Sequence, residues 1–349
     1  MDLTDRCLQS TGYEDVSLLS LSAGDYTVIS PLINTLMHRL SSRHLSVSLP
    51  SFRAGTLGPA LMQTIKKVRK TGFTIAPEAG SQRLRDVINK IITNDEIVAT
   101  VQDAFSAGWR VIKLYFMVGL PTETQADIQG IVDLVKILRK IKGPNGRYGK
   151  LNVSVATFIP KPHTPFQWAT QLPLEESRDR IEWLRARLRL PGVTFKWQNP
   201  EVSFLEGLWA RGDRRLSRLL VRAYENGCRF DGWSDRFNFD AWQASIAESQ
   251  VDIDFYTRRP RDLQEPLPWD HIDIRVEKSF LIDEWKAALD GARTEDCRWH
   301  SCQHCGVCDV ETTAPQLFVT VKEKEPLWVD KPESAKQTVF SKMKLFFSK

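Results

Sequence analysis

The sequence lacks any apolar run long enough to cross a bilayer, which takes about 20 consecutive residues. Its N-terminus, MDLTDRCLQS, also lacks the apolar core of a signal peptide. These absences argue against a membrane partner and lead us to expect a cytosolic chain. A large excess of either charge is lacking too: 48 Lys and Arg against 43 Asp and Glu leave a net charge of +5 over 349 residues. That small basic excess permits a nucleic-acid partner without requiring one. Cysteine is rare, and four of the six residues crowd between Cys297 and Cys308, which excludes an evenly spaced disulfide framework. What remains is an ordinary globular composition, 42% hydrophobic and 26% charged, in a chain long enough for two or three domains.

The most informative stretch is VIKLYFMVGLPTET, residues 111–124. Its β-branched and aromatic start reads as a strand buried on both faces. It breaks at Gly119-Leu120-Pro121, and Thr122 or Thr124 is placed to cap a following helix. Upstream, the pattern predicts helices over 2–10 (closed by Gly12), 31–40, 57–69, 81–89 and 94–107, the last capped by Asn94. It predicts strands over 16–21, 45–49 and 73–76. A helix over 125–141 and a strand over 152–159 follow. Strand and helix thus alternate through five strands, which means a parallel sheet with right-handed crossovers. Five strands are too few for a closed eight-stranded barrel, so an open or partial barrel remains.

Hydroxyls, carboxylates, glycines and basic residues gather at the strand ends. They include Ser20, Ser22, Gly24 and Asp25, then Ser51 and Arg53, then Glu78 and Ser81, then Gly119 and Pro121. In parallel α/β folds this rim carries the site, and its polarity suits a ligand with ribose, amine and carboxylate groups.

Beyond Phe166 the character changes. EESRDRIEWLRARLRL is an Arg-rich amphipathic helix, and a tryptophan-rich, mostly helical region runs to about Ala292. Its tryptophans read as core rather than as a base-stacking platform. Cys297, Cys302, Cys305 and Cys308, with His300 and His304 between them, are the strongest ligand signal. Paired Cys-x2-Cys steps turn thiolates toward one metal, either zinc or an iron–sulfur cluster. The tail from Glu311 is irregular and ends basic.

At these residues the chain resembles the radical SAM superfamily. GLPTET resembles its fifth-strand motif, APEAGSQRLRDVINK the fourth-strand segment of methylthiotransferase-type members, and FIPKPHTPFQW their sixth-strand ending. TGYEDVSLLSLSAGDY, EGLWARGDRRL and LPWDHIDIRVEKSFLIDEW resemble an uncharacterised subgroup with a cobalamin-binding-type domain in front. The resemblance implies a partial (βα)6 TIM-type barrel lacking its first strand over 1–170. A mostly helical domain over 171–292, a small Cys-rich element over 293–310 and an irregular tail over 311–349 would follow. It implies an S-adenosylmethionine site in which Ser20, Ser22, Gly24 and Asp25 hold the methionine amine and Arg53, beside Ser51, pairs with the carboxylate. Glu78 and Ser81 would contact the ribose or amino acid portion, and Lys90 replaces an arginine of that segment. Gly119 and Pro121 would admit adenine, with Phe158 as an apolar wall.

One departure is large. The superfamily's Cys-x3-Cys-x2-Cys loop, which ligates the iron–sulfur cluster that reductively cleaves S-adenosylmethionine, is absent from this sequence. The expectation is therefore the C-terminal portion of a radical SAM iron–sulfur protein, with cobalamin in the full-length form and an auxiliary cluster or zinc at the C-terminal cysteines. Its partner would be a separately encoded N-terminal half, and RNA or protein its macromolecular substrate. The alternatives are an inactive binding or structural module with a four-cysteine zinc element, and, more weakly, a nucleic-acid binder working through the cysteines and the Arg-rich helix.

Overall fold

The computed structural model describes residues 2–19, 26, 28–40, 45–48, 73–144 and 146–309. The predicted ligands Ser20, Ser22, Gly24, Asp25, Ser51 and Arg53, the helix over 57–69 and the tail over 311–349 lie outside these residues.

The architecture is α/β with parallel strands, consistent with a partial radical SAM-type barrel. Helix α1 (Asp2–Thr11) ends at Gly12, whose φ of +69° lets the chain turn away. Strand β1 (Asp15–Ser17) pairs in parallel with β2 (Ser46–Ser48), and helix α2 (Ile29–Leu40) lies between them in sequence. A four-stranded parallel sheet follows in the order β3 (Phe73–Glu78), β4 (Val111–Val118), β5 (Lys150–Thr157), β6 (Val193–Trp197). The connecting helices are α3 (Gln82–Val87), α4 (Asn94–Ser106), α5 (Gln125–Leu138) and α6 (Leu174–Arg187).

The sequence pattern explains which face is buried. In β4, Ile112, Leu114, Phe116 and Val118 are almost wholly buried, and each contributes about 1.5–3 kcal/mol of burial free energy. They pack with Leu151, Val153 and Val155 of β5 against Ile97, Val101 and Phe105 of α4, and against Ile131 and Val135 of α5. The other face of β4 carries Lys113 and Tyr115, both exposed. The expectation of a strand buried on both faces is therefore corrected to an alternating one. The reason is that the helices cover only one side of the sheet. The opposite face presents a polar row, Thr74, Lys113, Asn152 and Thr194, held in register across four strands.

Strand β6 was not anticipated. It extends the sheet beyond β5, and Ile181, Leu184 and Leu188 in and after α6 join the main core, so the sheet-bearing part runs through residue 197. Helix α4 begins with a capping box in which Thr93 and Glu96 cap each other, one residue before the predicted Asn94.

The helices that follow are α7 (Pro200–Arg211), α8 (Ser217–Glu225), α9 (Phe239–Ser249), α10 (Ile253–Thr257) and α11 (Lys278–Asp290). Leu205, Leu208, Leu219, Trp242 and Tyr256 form their own core. The tryptophans divide: Trp168, Trp242 and Trp269 are buried, whereas Trp197, Trp209 and Trp233 are exposed. Among the described residues no helix is long and apolar enough to cross a membrane.

Candidate functional site

The chain turns sharply where the strands end. Glu78 at the end of β3 (φ +67°), Gly119 and Thr122 after β4 (φ +87° and +63°) and His163 after β5 (φ +56°) all occupy the left-handed region. For Glu78, Thr122 and His163 this conformation costs about 1–2 kcal/mol each. The surrounding contacts must hold it.

Those contacts centre on Asp127 in the first turn of α5. Its carboxylate accepts from Thr124 N (2.8 Å), Thr124 Oγ1 (2.7 Å), Ser81 Oγ and an Arg83 guanidinium nitrogen. Arg83 also donates to the Thr122 carbonyl (2.8 Å) and hydroxyl (3.0 Å), so one side chain spans the ends of β3 and β4. Burial works to raise the Asp127 pKa, but the bonds from Arg83, Ser81 and Thr124 outweigh it and hold it at about 2. Beneath this network Gly80 lies against Gly130, where a Cβ on Gly80 would stand 2.7 Å from the Gly130 carbonyl carbon and closer still to the main chain of Asp127 and Ile131. Only glycine permits that approach.

Glu123 supports the turn after β4. Its carboxylate accepts from Gly119 N (2.9 Å) and from Arg180 of α6, and burial pushes its pKa up. Arg85 of α3 is wholly buried and donates to Ile92 O, Ala79 O, Asn94 Oδ1 and Gln82 Oε1, which fastens the loop around α3.

Six of the predicted ligands lie among the described residues: Glu78, Ser81, Lys90, Gly119, Pro121 and Phe158. The Glu78 carboxylate lies 3.5 Å from Lys90 Nζ, with both side chains about three-tenths exposed. Burial raises the Glu78 pKa against the opposing pull of Lys90. A half-open carboxylate–ammonium pair at a strand end has the chemistry to meet a hydroxyl, amine or carboxylate. Ser81 is the N-cap of α3: its hydroxyl accepts from Leu84 N (3.1 Å) and donates to Asp127. A Cβ on Gly119 would stand 2.9 Å from Leu172 Cβ, so its close neighbour is that side chain. Pro121 sits in the turn before Thr122, partly exposed. Phe158 meets Phe166 edge-on (5.7 Å between ring centroids), and Phe166 meets Trp285 of α11 (5.9 Å). Phe158 and Phe166 pack with Ala79, Leu84, Leu120 and Ala288 in an apolar cluster at the rim. Sequence reasoning missed Arg83, Asp127, Glu123 and Arg180. The signal was present in Thr124-x-x-Asp127, a box spacing that puts an acceptor over the helix start.

The cysteine segment reaches the same rim. Arg293 pairs with Asp86 of α3 (2.7 Å), and Thr294 and Asn89 exchange two hydrogen bonds (3.0 and 3.2 Å). Asn89, at φ +49°, immediately precedes Lys90. Farther on, Glu277 N donates to Cys305 O (2.9 Å), and His304 N donates to Cys302 Sγ (3.4 Å). Burial, then Asp296 and the other three cysteines, push the Cys297 thiol up. Four thiols suit a soft metal, yet among the described residues no three His, Cys, Asp or Glu side chains close into a metal-holding arrangement.

An uncharacterized protein of Methanocaldococcus jannaschii is 36% identical over 220 residues, which are 63% of this chain and 46% of that protein. The chain thus spans about half the length of the curated relative it matches. Residues 4–135, which run from α1 into α5 and include the ends of β3 and β4, match the Radical SAM superfamily.

Proposed function

We propose that this chain binds S-adenosylmethionine at the strand-end rim and supplies that half of the barrel to a radical SAM iron–sulfur protein. The observation that carries the reading is the superfamily match over residues 4–135, which takes in the strained ends of β3 and β4. Glu78 and Lys90 would meet the polar parts of the ligand. Phe158, backed by Phe166, would offer its ring to the adenine. Asp127 and Arg83 act at one remove by fixing the turns that aim these groups. Gly24, Asp25, Ser20, Ser22, Ser51 and Arg53 complete the set on sequence grounds.

The residues of this chain do not fit the superfamily's core cluster, because no Cys-x3-Cys-x2-Cys is present. In this reading the ligands of that cluster come from a segment outside this sequence. Cobalamin, and an RNA or protein substrate, belong to that larger assembly. At the C-terminal cysteines the donor set favours zinc or an auxiliary iron–sulfur cluster.

Calorimetric titration with S-adenosylmethionine tests the rim. Binding weakened at least tenfold by Glu78→Gln and by Arg53→Ala is expected, and no heat at any concentration would sink the proposal. Metal and sulfide analysis after anaerobic purification tests the cysteines, with loss in a Cys302→Ala/Cys305→Ala variant expected. Tight zinc with no sulfide, together with no S-adenosylmethionine binding, would instead favour the structural-module reading. The tethering of the cysteine segment to α3 through Arg293 and Thr294 gives that reading its own support.

A further inference from the structure

A second concentration of charge lies away from the strand ends, where α7 and α10 finish. Arg211, the last residue of α7, has no exposed surface, and Arg261 is 8% exposed. Two buried guanidiniums side by side are costly, because each must leave water and each repels the other. Burial, Arg261 and Arg259 together lower the Arg211 pKa to about 9. Their partners among the described residues are neutral: main-chain carbonyls and, for Arg261, the face of the Trp269 ring, 5.1 Å from its centroid. Arg211 donates to Tyr256 O (2.9 Å) and Gln167 O (3.2 Å), and Arg261 donates to Arg211 O (2.9 Å). Arg211 Nη2, Arg261 Nε and Arg259 Nε are buried with no acceptor.

The carboxylates nearby are already engaged. Asp213 grips Arg215 through both oxygens, with its shortest bond at 2.6 Å. Glu265 grips Arg259 through two parallel bonds of 2.7 and 2.8 Å. Four guanidiniums, Arg211, Arg215, Arg259 and Arg261, therefore face two carboxylates. Two positive charges are left over.

Beside them is a cavity of about 240 Å³ lined by Asp213, Arg215, Tyr256, Arg259, Arg261 and Glu265. We infer that this cavity is an anion site that takes a phosphate group, with Arg261 and Arg259 as its donors and Arg211 as the charge behind them. A phosphate monoester carries about −1.5 to −2 charge near neutral pH and presents three acceptor oxygens. That matches the surplus of two positive charges and the orphaned Nε–H groups of Arg259 and Arg261, whose side chains line the cavity, whereas a carboxylate would neutralise only one. The site reaches the strand ends through Gln167. The Gln167 carbonyl accepts from Arg211, and its side-chain oxygen accepts from Trp269 Nε1 (2.7 Å) and from the main chain of His163 (3.1 Å).

The test is a titration of the full chain with inorganic phosphate at constant ionic strength, read by calorimetry and by the rise in Tm, against chloride and acetate. Saturable binding and a Tm rise with phosphate alone are expected, with affinity at least tenfold lower in Arg261→Gln and unchanged in Arg185→Gln. Should Arg261→Gln fail to fold, Arg259→Gln provides the same comparison. Phosphate acting no differently from chloride, or binding the variants as it binds the wild type, overturns the inference. Glu78→Gln is expected to bind phosphate normally, which separates this site from the S-adenosylmethionine rim.

Discussion

The Asp127 network offers the sharpest quantitative test. Asp127 is 3% exposed, and its pKa is held at about 2 instead of the ordinary 3.8. At about 1.4 kcal/mol per pH unit, that gap corresponds to about 2 kcal/mol of folding stability. Because the folded pKa is depressed, the stabilisation is complete by about pH 5 and disappears as pH falls through about 2. Asp127→Asn keeps the shape and one acceptor oxygen but removes the charge. Urea denaturation of both proteins, stepped from pH 7 to pH 2, measures the difference. The wild type should lead by about 2 kcal/mol at pH 5 and above, and the lead should shrink toward zero near pH 2. A lead of constant size across the range would refute an ionic origin and reduce the network to ordinary capping.

Three other outcomes are expected. Gly80→Ala should lose at least about 2 kcal/mol by overpacking, because its Cβ would press on the main chain of α5; Gly143→Ala, with its nearest neighbour at 3.5 Å, is the near-neutral control in thermal melts. Arg180→Met strands the buried Glu123 carboxylate and should cost about 3–5 kcal/mol. Adding Glu123→Gln should recover most of it in the same denaturation assay, and no recovery would rule out the charge argument. Glu78→Gln should leave Tm at pH 7 unchanged or higher, since burial already opposes ionisation there and the ionised form costs stability above its raised pKa; a clear fall in Tm would count against it.

Much of the α/β alternation could be read from hydrophobic periodicity, because α2, α4, α5 and β3 to β5 each carry a strong repeating face. Strand β6 escaped although VTFKW alternates apolar and polar residues, because the run is only five residues long, leaves Thr194, Lys196 and Trp197 exposed, and follows directly on an Arg-rich helix. The two-sided burial expected of β4 failed for a topological reason: local sequence cannot say that one sheet face is left without helices. The strand-end residues could be named from their types, but their partners could not. Glu78 is not a residue type that announces positive φ, and Ser81 looked equally suited to capping and to ligand contact. Asp86 and Arg293 lie too far apart in sequence for any local pattern to join them. The buried guanidiniums of Arg211 and Arg261, which have no carboxylate partner of their own among the described residues, were equally hidden, since arginine normally signals a solvated surface.

The Asn89–Thr294 exchange has a consequence for the order in which this protein is assembled. The two residues are 205 positions apart. At a synthesis rate of about 5–20 residues per second, α3 and the end of β3 emerge about 10–40 s before the segment that fastens onto them. Throughout that interval Glu78 and Lys90 lack the neighbour that sets Asn89 just ahead of Lys90. The nascent sheet can form, but the rim around its ends is finished last.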